Sequence, residues 1–168
     1  GREAFAIELR SPSVIEDMTN DWKIAIEIAS NKTTLPEPTI AYFGLSMGSI
    51  FGIPLLGSLS KENDKTIVAT LGLLGTTGAV KFLGHHLKKN ASELTAPILF
   101  LMQLEDELFP RDGYLELFDA IGSEDKTLHA NPGLHPQVPA AEIDYAFQFM
   151  LDHIEGDSTH TDSVSIAE

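Results

Sequence analysis

The stretch Thr39-Ile40-Ala41-Tyr42-Phe43-Gly44-Leu45-Ser46-Met47-Gly48-Ser49-Ile50-Phe51-Gly52-Ile53-Pro54-Leu55-Leu56 organises the whole chain. It opens on an apolar run of strand length and closes on residues that read as the start of a buried helix, with Gly-x-Ser-x-Gly between them. Strand, tight turn and helix in that order are the layout of a nucleophile elbow. So sharp a turn is expected to hold Ser46 in a strained backbone conformation, with neighbouring elements close enough to exclude larger side chains at 44 and 48. It also lifts one hydroxyl above the sheet edge and aims the Met47 backbone N–H at the place where an oxyanion would form. The alternative for Ser46 is a hydroxyl that caps the following helix. Flanking elements of the required type favour the nucleophile.

Working outward, residues 15–30 place Ile15, Met18, Trp22, Ala25, Ile26 and Ala29 at helical spacing, and a polar, proline-bearing loop leads from there into the strand at 39–43. Beyond the elbow helix, a charged turn precedes the apolar run 66–74, whose β-branched start suits a parallel strand covered on both sides. Residues 75–94 hold glycines and then a helix over 79–89 with a polar end, His85-His86-Leu87-Lys88-Lys89, which reads as a short cap. A third buried strand is expected at 96–102, a helix at 111–121 with Tyr114, Leu115, Leu117 and Phe118 as its apolar positions, and Gly122 as its C-cap. A short strand at 126–130, a loop at 131–139 and an amphipathic helix at 140–154 complete the alternation. The pattern predicts an α/β fold, a parallel sheet of about four strands flanked by helices. Residues 1–155 form one domain in this reading, with 156–168 as a disordered polar tail.

A chain of 168 residues is long enough to bury a core of its own, and 43% apolar with 21% charged residues is ordinary globular usage. Its formal charge of −14 leaves no basic stripe to displace counterions, which argues against nucleic acid as a partner. No apolar run approaches a bilayer span, so no membrane partner is expected. The absence of cysteine removes disulfides, thiolate metal sites and a Cys nucleophile. The chain starts at Gly1 without a signal-peptide pattern, which gives the expectations of a truncated or processed start and a cytoplasmic protein.

Ligand sites in a parallel α/β sheet lie beyond the carboxyl ends of the strands, here the loops at 44–48, 75–80, 103–110 and 130–138. The third loop, Gln103-Leu104-Glu105-Asp106-Glu107-Leu108-Phe109-Pro110, offers three carboxylates, any of which could orient an imidazole. Asp106 is favoured because it leads the Asp-x-x-x-Pro that closes the loop. Glu105 and Glu107 are the alternatives, and a solvated acidic turn is the reading without function. The fourth loop carries His135 after a Pro-Gly turn, on backbone able to bring its ring over the sheet edge. His129 lies within the strand and reads as packed or paired. His85 and His86 are adjacent on a helix and do not share a face, so they make a poor metal pair, and His153 and His160 sit on a helix end and in the tail.

The order Ser46, Asp106, His135 is that of an α/β-hydrolase triad and differs from the chymotrypsin and subtilisin orders. With G-L-S-M-G at 44–48, P-I-L-F-L-M-Q-L-E-D-E-L-F-P at 97–110 and H-A-N-P-G-L-H at 129–135, the chain from about residue 15 to 155 resembles the C-terminal part of an α/β-hydrolase, closest to the dienelactone hydrolase and small esterase branch. The resemblance implies a serine hydrolase that cleaves small-molecule carboxylic esters through an acyl-enzyme and needs no cofactor. It also implies upstream strands, and a loop supplying a second oxyanion donor, that have no counterpart before residue 39. On that reading the strand at 39–43 has an exposed edge that invites a homo-oligomer. The rival expectations are a catalytically silent remnant serving as a binding or assembly module, and an acyltransferase using the same residues.

Overall fold

The computed structural model describes residues 12–33, 39–61 and 67–161. In chain order these form α1 (Pro12–Ser30), β1 (Ile40–Phe43), α2 (Met47–Ser60), β2 (Ile67–Gly72), a 3-10 segment (Gly78–Leu83), α3 (Gly84–Ala91), β3 (Ile98–Gln103), α4 (Arg111–Ala120), β4 (Lys126–Asn131) and α5 (Ala140–Thr161). The strands make one parallel sheet in the order β1-β2-β3-β4, with Phe43 opposite Thr70, Gly72 opposite Leu101 and Gln103 opposite Asn131. Their carboxyl ends therefore converge on one side. The outer edge of β1 pairs with no other described strand.

Alternation along β3 divides the core between two faces. Ile98, Phe100 and Met102 point into the larger cluster with Ile53 and Leu56 of α2, Leu71 of β2, Leu87 of α3, and Tyr114 and Leu117 of α4. Leu99 and Leu101 point the other way, onto Ala146 of α5. All six β3 residues are buried, as a central parallel strand requires. Burial of each large side chain contributes about 1.5–3 kcal/mol, so β3 anchors the loop that follows it.

Three local expectations change. The segment 75–94 is the crossover from β2 to β3, and it is built into the main core. Leu83, Leu87, Ala91 and Leu94 are buried, and α3 packs against α2 and α4. Leu74, Val80 and Leu83 belong to the larger cluster, while Phe82 is exposed. Gly122 does not adopt the left-handed C-cap conformation, and Ile121 ends α4 in extended backbone. A Cβ at 122 would come within 2.4 Å of the Ser92 carbonyl oxygen, so a close backbone approach explains the glycine. Finally, α5 runs past Ile154 to Thr161, and residues 162–168 of the expected tail lie outside the described residues.

Candidate active site

Ser46 joins β1 to α2 at φ 54°, ψ −111°, a left-handed conformation that typically costs a residue with a side chain about 1–3 kcal/mol. Several bonds hold it there. Its N–H donates to Gly72 O at 2.9 Å, and its carbonyl accepts the N–H groups of Ser49 and Ile50 at 3.0 and 3.2 Å. The fully buried Ser49 hydroxyl accepts the Gly72 N–H at 2.8 Å and lies 2.7 Å from the carbonyls of both Gly44 and Gly72, tying the turn to the end of β2. Beneath the turn runs the Tyr42 ring, whose hydroxyl donates to Gly48 O at 2.7 Å. Burial pushes that phenol's pKa up, which keeps it a neutral donor.

The two glycines of the motif have different reasons. A Cβ at Gly44 would lie 2.5 Å from the Tyr42 ring and 2.9 Å from the Gly48 carbonyl carbon. A Cβ at Gly48 would meet nothing within 4 Å, so the expected exclusion holds at 44 and fails at 48. Ser46 makes no side-chain cap to α2. Its hydroxyl instead lies 2.8 Å from His135 Nε2. The Met47 N–H, first in α2, donates to no backbone carbonyl among the described residues.

Asp106 follows β3, and its side chain is 0% exposed. Oδ1 accepts the N–H groups of Leu108 and Phe109 at 2.7 and 3.0 Å. Oδ2 lies 2.7 Å from His135 Nδ1 and also accepts the Tyr114 hydroxyl. Burial by itself pushes the Asp106 pKa up, but the bonds from Tyr114, His135 and the two backbone N–H groups outweigh it and hold the carboxyl below its ordinary value. The neighbouring acids turn to backbone. Glu105 accepts the N–H of Gly133, and Glu107 accepts the N–H of His135 at 2.9 Å, which lowers the Glu107 pKa. Together with the Leu134 N–H to Gln137 Oε1 bond of 2.8 Å, three successive N–H groups of the histidine loop are held by side chains. Sequence separations of 89 and 29 residues are thus closed to hydrogen-bond distance, with the His135 ring 12% exposed against Phe109.

The remaining described histidines have other surroundings. His129 pairs with Glu142 at 3.0 Å under the Tyr145 ring, and His153 pairs with Asp125 at 3.1 Å. Among the described residues no three His, Asp or Glu side chains gather in a way that could hold a metal ion, and no helix is long and apolar enough to cross a membrane. Hollows of about 470 Å³ between α1, α2 and α3, and of about 420 Å³ beside Asp106 and Ala79, are not lined by Ser46 or His135. The sequence reading missed three polar groups that support the site: Tyr42, Ser49 and Tyr114, each counted as an apolar or helix-forming position. A buried tyrosine is itself a signal, because its hydroxyl needs a partner.

No family model matches the chain. Among solved structures, the fold is similar to a zinc-bound cold-adapted esterase from an Arctic intertidal metagenomic library, with TM-score 0.67, 36% identity, and coverage of 80% of this chain and 59% of that one. A native structure of an esterase of the same description gives TM-score 0.66 and 36% identity, covering 79% of this chain and 58% of the other. The monoacylglycerol lipase of Paleococcus ferrophilus shares the fold at TM-score 0.57 and 16% identity, over 84% of this chain and 75% of the lipase. The chain therefore spans under two thirds of the length of the esterases it matches. Four parallel strands alternating with helices, and these neighbours, place the chain in the α/β-hydrolase superfamily.

Proposed function

We propose that the chain carries the catalytic centre of a serine hydrolase that cleaves carboxylic esters, with Ser46 as nucleophile, His135 as general base and acid, and Asp106 as the group that orients the imidazole. The reading rests on one observation, the unbroken line from Asp106 Oδ2 through both nitrogens of His135 to Ser46 Oγ, at 2.7 and 2.8 Å. An imidazole that donates through Nδ1 to a carboxylate leaves its Nε2 lone pair facing the serine hydroxyl.

In the mechanism, Nε2 takes the Ser46 proton as Oγ bonds to the ester carbonyl carbon, and the Met47 N–H stabilises the oxyanion. The tetrahedral adduct expels the alcohol, which receives the proton from His135, and an acyl-serine remains. Water then attacks the acyl carbon as His135 takes one of its protons, and collapse returns that proton to Ser46 with release of the acid. A free alcohol entering in place of water would make the same site an acyltransferase.

The test is covalent labelling by a fluorophosphonate probe with peptide mapping, beside hydrolysis of an activated aryl acetate. Labelling confined to Ser46, and lost in Ser46→Ala, is the expected result. A folded chain that takes up no probe at Ser46 defeats the reading and leaves the silent binding module in its place.

A further inference from the structure

We propose that Tyr114 of α4 is a positioning residue that acts through its hydroxyl on the Asp106–His135 pair, an inference that rests on the serine hydrolase reading of the same site. The Tyr114 side chain is fully buried and its ring is fixed edge-on between Phe100 and Phe109, with centroids 6.4 and 6.1 Å away. Held in that way, the hydroxyl donates to Asp106 Oδ2, the same oxygen that faces His135 Nδ1. Core filling alone does not account for this, since a phenylalanine fills the same space without bringing a polar atom that must be satisfied.

Two consequences follow from sharing one oxygen between a phenol and an imidazole. The first is geometric. Backbone N–H groups of Leu108 and Phe109 fix only Oδ1, so the Tyr114 bond is what prevents the carboxylate from rotating Oδ2 away from the ring. The second is electrostatic. A donor on Oδ2 draws off part of the negative charge that would otherwise stabilise the imidazolium. The phenol remains a donor throughout, because burial and the adjacent Asp106 carboxylate push its own pKa well above the usual tyrosine value. The other charged groups near the pair are Glu105 and Glu107 of the same loop, both engaged with backbone of the histidine loop.

The experiment is the pH dependence of the fluorophosphonate labelling rate at Ser46 in wild type and in Tyr114→Phe. Removing a bond to a charged group is expected to slow labelling about tenfold to a hundredfold near neutral pH, with the acidic limb of the profile displaced to higher pH. Site-specific 3-fluorotyrosine at 114 keeps the ring and strengthens the donor, so it should displace the limb to lower pH even if Tyr114→Phe folds poorly. A wild-type rate and profile in both proteins overturns the proposal. Should the wild-type chain not label at all, the downfield Nδ1 proton resonance of His135 separates the two failures. A change in that resonance on either substitution upholds the Tyr114 link although the hydrolase reading has failed, and an unchanged resonance defeats the link as well.

Discussion

Two histidine–carboxylate pairs lie within a few residues of each other along β4 and its exit loop, and they differ in everything except the contact that defines them. His135 meets Asp106 at 2.7 Å and His129 meets Glu142 at 3.0 Å. The Asp106 side chain is wholly buried and accepts two backbone N–H groups and a phenol besides the imidazole. Glu142 stands in the first turn of α5 with its side chain 18% exposed, and His129 is 27% exposed under Tyr145. Across the ring from the carboxylate, His135 faces the Ser46 hydroxyl, whereas the His129 ring bonds only to the carboxylate of Glu142 among the described residues. An imidazole beside an acid is thus no signature of a reacting site. What separates the two is the support behind the acid and a strained serine in front of the imidazole.

The largest break in the comparison comes from Asp106→Asn. Loss of the charge that orients the imidazole is expected to lower the labelling and ester-hydrolysis rates by about a thousandfold to ten-thousandfold. The pH dependence of stability changes with it. Because the Asp106 pKa is held down in the folded chain, its stabilisation is fully present above the ordinary carboxylate value of about 4 and is lost as pH falls through the depressed native value. Urea midpoints taken from neutral to strongly acidic pH should therefore fall less steeply at the acid end for Asp106→Asn than for wild type. Equal slopes would mean that Asp106 has no role in acid sensitivity.

The turn at Ser46 sharpens the same contrast, since a serine hydroxyl on the far side of the ring is what the second pair lacks. Gly44→Ala pushes a methyl group against the Tyr42 ring and the Gly48 carbonyl and is expected to destabilise by about 1–3 kcal/mol, with slower labelling as the turn shifts. Gly48→Ala adds its methyl group to open space at a helical position and should change stability by about 1 kcal/mol or less, in the stabilising direction. Denaturation midpoints for the two variants check this, and equal losses would show that the turn, rather than the space around it, requires both glycines.

How much of this was legible in the sequence follows from what each pattern reports. The strand-and-helix alternation was readable because buried parallel strands are continuous apolar runs, and β3, buried on both faces, is the plainest instance. Motif and loop position single out Ser46, Asp106 and His135, and the structure brings His135 within hydrogen-bond reach of the other two. The polar end of 75–94, His85 to Lys89, suggests a cap, and only packing reveals its inner face of Leu87 and Ala91. Gly48 was overread because a motif does not say which of its glycines is pressed. Tyr42 and Tyr114 escape notice because a side chain that is apolar along most of its length satisfies a periodicity whether or not its last atom has a partner, and Ser49 because a small hydroxyl residue is common at a helix start.

Glu142→Gln carries the smallest expected effect and tests the comparison from its quiet side. The His129–Glu142 contact is a partly exposed ion pair only when His129 is protonated, and Glu142 also places a negative charge in the first turn of α5. Both contributions are small, so the substitution should destabilise by under about 1 kcal/mol, less still at high salt. The labelling rate at Ser46 should remain that of wild type, because no hydrogen bond links Glu142 or His129 to the Ser46, His135 and Asp106 groups among the described residues. A slowing of the kind expected for Asp106→Asn would mean that the two pairs act as one system through β4, and the distinction drawn from burial and donor count would fail.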